Sequence, residues 1–171
     1  MTKHLYWTLL QHDDWNLHLA ATDNGLCYVG SQGASFDELA EWAEARLPEF
    51  ELVRHDTEME RYTHEFSKYF QGSLDVFTLP LDLVGTPFQQ RVWQAMSGVQ
   101  YGSTAAYSDL AENIGRPQAA RAVGAAVGAN PLLIVLPCHR IVGKTGSMTG
   151  YRGGLPMKTA LLELEQGQGR G

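Results

Sequence analysis

The chain has 171 residues, 44% hydrophobic and 19% charged, an ordinary globular composition with room for one large domain or two small ones. No window reaches the roughly eighteen unbroken apolar residues of a membrane span, and Met1-Thr2-Lys3-His4 lacks the apolar core of a secretory signal. The two cysteines, Cys27 and Cys138, make no disulfide framework, so a reduced, cytoplasmic protein with no membrane partner is expected. The net charge of −6 alone argues against nucleic acid, but its distribution does not. Residues 1–85 carry five Lys/Arg against fifteen Asp/Glu, a net −10, and residues 86–171 carry eight against four, a net +4, which together return −6. A polyanion would meet the second half, unless the two halves are merely unequal solvated surfaces.

In chain order, Leu5 to Leu10 and Trp15 to Ala21 read as short strands joined by a turn at His12-Asp13-Asp14. Thr22-Asp23-Asn24-Gly25 is a second turn, and Leu26 to Gly30 a third strand, with Cys27 as a small core residue. Ser35 followed by Glu38 has the spacing of a capping box, and Phe36, Leu39, Ala40, Ala43 and Leu47 follow at helical spacing until Pro48. Glu49 to Arg54 reads as a strand and Tyr62 to Phe70 as a helix stopped by Gly72. Leu74 to Leu81 is an apolar, partly alternating segment. Asp56, Glu58 and Glu60 read as a solvated face. His4, His12, His18, His55 and His64 are scattered without the paired spacings of a metal site, so no metal is expected.

Gly85 marks a change. Thr86-Pro87-Phe88-Gln89 has a threonine cap, proline at the first position and glutamine at the third, and Phe88, Val92, Trp93 and Met96 form one apolar face. Tyr107 to Ile114 is a short helix with Leu110 and Ile114 inward, ended by Gly115. A second helix is expected from Pro117 to about Val127. The pair fits a helix-turn-helix, whose small residues let it lie close to a groove or, equally, to a neighbouring helix. Leu132 to Leu136 reads as a buried strand or extended segment closed by Pro137, before a glycine-rich loop. Leu155 to Glu165 is the last helix, and Gln166 to Gly171 a frayed tail.

Pro137-Cys138-His139-Arg140-Ile141 carries the chemistry. A nucleophilic cysteine needs a lowered pKa, a base, and a group to orient the base. His139 is adjacent, but in an extended segment neighbours point to opposite faces, so a water between thiol and imidazole is expected. Glu165 or Glu163 are the candidate orienters. Taken alone, the tripeptide also fits a buried cysteine beside a core histidine.

The wider pattern is more specific. Asn130-Pro131, the apolar run, PCHRI, the Met148-Thr149-Gly150-Tyr151 loop and the last helix resemble the O6-alkylguanine-DNA alkyltransferases. So do TPFQQRVW at 86–93, AYSDLAENIG at 106–115 and RPQAARAVGAAVGANP at 116–131. The first half matches only at Leu19-Ala20-Ala21-Thr22 and Gly25-Leu26-Cys27. The resemblance implies an α+β protein. Residues 1–84 would form a small α/β domain of ribonuclease H-like fold, and residues 85–171 a mainly helical alkyl-transfer domain with a helix-turn-helix and an active-site loop.

It also implies roles. Cys138 would attack the alkyl carbon on the guanine oxygen in line and keep the group as a thioether. That makes the protein single-turnover, with no cofactor. His139 would act on Cys138 through a water, Glu165 would orient the histidine, and Tyr107 would hydrogen-bond the flipped base and help protonate it. Asn130 would be a hinge to the active-site segment. Arg121 would fill the space of the extruded nucleotide, with Ala120, Ala122 and Gly124 close to the minor groove. Pro137, Ile141, Tyr151, Arg152 and Leu133 would line the pocket. Many relatives carry a small residue where this chain has Arg152, which bears on the size of alkyl group admitted. The expected partner is double-stranded DNA carrying O6-alkylguanine, with O4-alkylthymine as a second substrate, and the protein acts as a monomer. The competing readings are a thiol hydrolase using Cys138 and His139, and a damage sensor that binds without transferring.

Overall fold

In the computed structural model, which describes residues 2–148 and 150–167, β1 (Lys3–His12) and β2 (Trp15–Thr22) form an antiparallel hairpin. His12 pairs with Trp15, leaving a two-residue turn in which Asp13 has φ 51°, a left-handed conformation that aspartate tolerates. Asp23-Asn24 makes the next turn into β3 (Gly25–Val29), with Thr22 paired to Gly25. A helix, α1 (Phe36–Arg46), then crosses to β4 (Phe50–Arg54), which pairs parallel to β1 and gives the order β3-β2-β1-β4. Period-two alternation divides β1 between two faces. Leu5 and Trp7 join Leu39 and Ala43 of α1, whereas His12 stacks on Phe70 of α2 (Glu60–Phe70). These residues belong to a compact unit spanning Met1–Val84, distinct from a second at Gly85–Gly171.

One local expectation fails in this unit. Ser35 sits at the N-cap of α1, but its side chain makes no capping bond. The Glu38 carboxylate is taken instead by the end of β3, accepting from the Tyr28 hydroxyl at 2.7 Å, the Ser31 amide at 2.8 Å and the Ser31 hydroxyl at 2.6 Å. Leu74 to Leu81 forms no ladder. It meets β3 through a single bridge between Leu26 and Leu81, fixed by Leu26 N–H to the Pro80 carbonyl and Asp82 N–H to the Leu26 carbonyl, both at 2.9 Å.

The second unit starts with α3 (Pro87–Met96), whose capping box forms in full: Gln89 N–H donates to Thr86 Oγ1 and Thr86 N–H to Gln89 Oε1. Val92, Trp93 and Met96 are buried and Phe88 is half-buried. Each fully buried apolar side chain of this size contributes about 1.5–3 kcal/mol. The Trp93 indole N–H also reaches the Ala126 carbonyl at 2.8 Å, tying α3 to α5 (Ala120–Gly128). Between them lie β5 (Ala105–Ala106) and α4 (Tyr107–Asn113), in which Leu110 is buried while Ile114, just beyond it, is half-buried. Helix α5 begins at Ala120, three residues later than expected. Pro117 takes the second position of a turn closed by Ala119 N–H to the Arg116 carbonyl at 2.9 Å, a place that suits its fixed φ as well as a first helical turn would.

Leu132 to Leu136 is neither strand nor extended. It is a compact double turn, with Leu136 N–H bonded to the Leu132 carbonyl and Ile134 at φ 74°. Cys138–Arg140 is one turn of 3-10 helix, followed by β6 (Ile141–Val142) and α6 (Leu155–Glu165). Of the expected loop and frayed tail, Thr149 and residues 168–171 lie outside the described residues. Among the described residues no helix is long and apolar enough to cross a membrane.

Candidate active site

The site is assembled by a short parallel pairing. Ala105 and Ala106 of β5 pair with Ile141 and Val142 of β6. This sets Tyr107, the next residue after β5, beside the strand that follows Cys138–Arg140. The Tyr107 ring extends over α5, where a side-chain carbon built at Gly124 would lie 3.9 Å from its Cδ1. A larger residue at 124 would therefore compete with that ring for space.

Asn130, fully buried after α5, organises the turn that presents the thiol. Its Oδ1 accepts from Leu132 N–H at 2.8 Å. Its Nδ2 donates to the Leu136 carbonyl at 2.9 Å and lies 3.2 Å from Cys138 Sγ. One amide thus fixes both ends of the double turn and one side of the sulfur. Ile134, a β-branched residue in the left-handed region, costs roughly 1–2 kcal/mol, and the surrounding bonds hold it there.

Cys138 is 4% exposed and His139 0%. Because the chain turns in a 3-10 helix here, the extended-segment argument that put the two side chains on opposite faces does not apply. The imidazole Nε2–H donates to Glu165 Oε2 at 2.6 Å. Its other nitrogen, Nδ1, is buried with no hydrogen-bond partner among the described residues. With Nε2 committed to a carboxylate, Nδ1 carries the lone pair, so the ring is a base with one vacant accepting position. Of the two candidate orienters Glu165 is the one at the site.

Glu165 also binds a cation. Arg140 Nε donates to Oε1 at 2.7 Å and Nη2 to Oε2 at 3.0 Å, while Nη1 reaches the Val99 carbonyl at 2.7 Å. The carboxylate charge is balanced by the guanidinium, which leaves the imidazole neutral. Burial holds His139 below its ordinary value, more strongly than Glu165 raises it. Burial also pushes the Cys138 thiol up, opposed by the Asn130 hydrogen bond and by the charges of Arg152 and Lys158. Burial thus favours the neutral form of both thiol and imidazole in the resting site.

Lys158 and Arg140 are the participants the sequence reading missed. Lys158 is fully buried, its Nζ donating to the Ile141 carbonyl at 2.6 Å, and burial lowers its pKa. A signal existed: Lys158 stands at i, i+3, i+4 and i+7 with Leu161, Leu162 and Glu165, the inward face of α6. The residues expected to line a pocket are placed as follows. Leu133 and Ile141 are fully buried, Pro137 precedes the thiol, and the Tyr151 hydroxyl is buried with no hydrogen-bond partner among the described residues. Arg152 lies on the backbone of Asn130 and Pro131. On α5, Ala120, Arg121 and Ala122 are exposed and Gly124 half-buried, while Val123, Ala126 and Val127 face inward.

Comparison with known proteins agrees with this architecture. Residues 87–167 match the family model for the DNA binding domain of 6-O-methylguanine DNA methyltransferase. Residues 5–83 match the model for its ribonuclease-like domain. The inducible methylated-DNA–protein-cysteine methyltransferase of Bacillus subtilis is 52% identical over 162 residues, covering 95% of this chain and 90% of that protein. The Haemophilus influenzae methyltransferase of the same description is 37% identical, covering 95% and 87%. The crystal structure of Mycobacterium tuberculosis OGT in complex with DNA superposes with a TM-score of 0.81 at 37% identity, covering 94% of this chain and 92% of that one.

Proposed function

This chain belongs to the 6-O-methylguanine DNA methyltransferase family, and from that premise we propose that it repairs DNA by moving the alkyl group of O6-alkylguanine irreversibly onto Cys138. The observation that carries this reading is the buried array of Asn130, Cys138, His139 and Glu165. The thiol proton passes, through a water, to His139 Nδ1, and the imidazolium formed is held by Glu165. The thiolate attacks the alkyl carbon as the carbon–O6 bond breaks. The electron pair stays with the guanine, which takes up a proton, with Tyr107 as the donor beside the site. A carbon–sulfur bond replaces the carbon–oxygen bond, and water does not displace a thioether, so each molecule acts once.

The lesion lies inside a duplex, so the base has to be turned out, at about a few kcal/mol. The exposed face of α5 suits this task. Ala120, Ala122 and Gly124 allow close approach to a groove, and Arg121 can fill the vacated stack. Residues 85–171 supply all of these groups from one chain, which supports action as a monomer. Two buried free thiols suit the reducing cytoplasm, where the duplex substrate is found. A thiol hydrolase would leave α5 without a role, and a sensor would have no use for the array around Cys138. O4-alkylthymine is proposed as a second substrate of the same pocket. Intact-protein mass after mixing with a duplex carrying one O6-methylguanine tests the reading. One methyl per protein, located on the Cys138 peptide and saturating there, is expected. Binding without mass gain would leave the sensor.

A further inference from the structure

Arg152 has no counterpart in the transfer chemistry above, yet its guanidinium joins the loop before α6 to the corner before the thiol turn. Its Nε donates to the Asn130 carbonyl at 3.0 Å and its Nη2 to the Pro131 carbonyl at 3.3 Å. A planar guanidinium can span two successive carbonyls; an ammonium on a flexible stem cannot hold both in a fixed geometry. Asn130 is the residue whose side chain lies 3.2 Å from the sulfur and fixes the Leu136 carbonyl, so whatever holds its backbone also aims the thiol.

The loop held by this contact is tightly seated. A side-chain carbon at Gly153 would stand 2.5 Å from Met157 Sδ, 2.8 Å from Tyr151 Cε2 and 3.3 Å from Leu133 Cδ1. The loop therefore lies directly on Leu133, with the Tyr151 ring of the loop folded back against Gly153. Gly154, at φ 92°, ends it in a conformation that favours glycine and starts α6. Lifting residues 151–154 away from Leu133 would break the contacts of Arg152.

We infer that Arg152 is a positioning and specificity-determining residue: it latches the Tyr151–Gly154 loop onto the Asn130–Pro131 corner, aims the Cys138 sulfur through Asn130, and restricts transfer to small alkyl groups. The inference rests on the transfer reading for its substrate but not for its geometry. The charge of Arg152 also reaches Cys138, where it works against the effect of burial.

The test uses full-length wild type, Arg152→Ala and Arg152→Lys. Single-turnover transfer is measured at saturating protein from duplexes carrying O6-methylguanine or O6-benzylguanine. Losing a charge-assisted hydrogen bond is expected to raise the benzyl-to-methyl rate ratio about tenfold in Arg152→Ala, with methyl transfer itself slower. Arg152→Lys, which keeps the charge but not the two-carbonyl span, is expected to slow methyl transfer less than Arg152→Ala and still show a raised ratio. An unchanged ratio in both variants, or an equal loss for both groups, overturns the latch. If Arg152→Ala does not fold, the ratio in Arg152→Lys decides. A second readout needs no DNA: the rate of Cys138 labelling by N-benzylmaleimide relative to iodoacetamide, read by peptide mass. It should rise in the variants, and a constant value counts against the latch. Should wild type transfer neither alkyl group, the function is refuted while the labelling ratio still judges the latch.

Discussion

Replacing Glu165 with glutamine separates what the buried carboxylate does for stability from what it does for chemistry. The side chain is 3% exposed and accepts three charged or polar donors, from His139 Nε2 at 2.6 Å, Arg140 Nε at 2.7 Å and Arg140 Nη2 at 3.0 Å. Glutamine keeps the shape but removes the charge, and turns an NH2 group toward one of those donors. Arg140 is then a buried cation without its counter-charge, a situation that costs about 3–5 kcal/mol. Arg140 keeps the Val99 carbonyl at 2.7 Å and its place over the Tyr101 ring at 5.7 Å, which sets the expectation at the lower end, about 3 kcal/mol. For a chain of this size that is a fall of about 6–12 °C in Tm. Urea and thermal unfolding followed by circular dichroism would measure it. At 15 °C, where the variant should remain folded, single-turnover transfer should drop by about 10²-fold, because the imidazolium formed at His139 has lost its partner. A wild-type melting curve would refute the ion-pair argument. A folded variant that transfers at the wild-type rate would remove His139 from the role of base.

Cys138→Ala should bind a lesion-bearing duplex as tightly as wild type while gaining no mass; lost binding would make the cysteine structural. Arg121→Ala should slow repair in duplex about tenfold or more while leaving reaction with free O6-benzylguanine base unchanged, since only the duplex requires a base to be turned out. Equal slowing would end the proposed part for Arg121 in flipping. Alkaline pH should expose the buried thiols. Burial raises both Cys27 and Cys138 above the ordinary 9.0. Above that value the unfolded chain releases each proton while the fold retains it, so stability falls as pH rises, by about 1.4 kcal/mol per pH unit per thiol. Comparing wild type with Cys27→Ala in reducing buffer isolates one such slope. Identical slopes between pH 9 and 10 would show that the Cys27 thiol ionises in the fold.

What could be read from the sequence was whatever is decided locally. The β1–β2 hairpin follows from Asp13-Asp14 between alternating strands, and the start of α3 from Thr86, Pro87 and Gln89, because in each case the partners lie within three residues. Ser35 and Glu38 have the same local spacing, but the competing partners of the carboxylate, Tyr28 and Ser31, are brought by β3 and win it. The run from Leu132 to Leu136 fits a strand or a buried turn equally well, since both hide apolar side chains. The difference is made by the Asn130 amide, reaching six residues ahead to the Leu136 carbonyl and eight ahead to the sulfur. Arg140 and Lys158 were passed over for a related reason. A cation in a sequence reads as surface until the carboxylate or carbonyl that meets it inside is known.

In the proposed mechanism one proton transfer, from Cys138 to His139, does most of the work. Before it, the thiol is neutral, the imidazole is neutral, and the Glu165 charge is balanced by Arg140. A buried neutral thiol is a poor target for stray electrophiles, which suits a protein that can react only once. After the transfer, the thiolate has Asn130 at 3.2 Å and the charges of Arg152 and Lys158 in reach, and the imidazolium has Glu165 at 2.6 Å. In a water-poor interior each of these attractions is stronger than at the surface, and the groups that provide them are already in place. Burial, which by itself opposes ionisation of both partners, thus also strengthens the contacts that favour the ion pair once an alkyl group is there to receive the thiolate. A reactive sulfur is present only when a substrate stands against it, and the cost of making it falls on the encounter and not on the waiting protein.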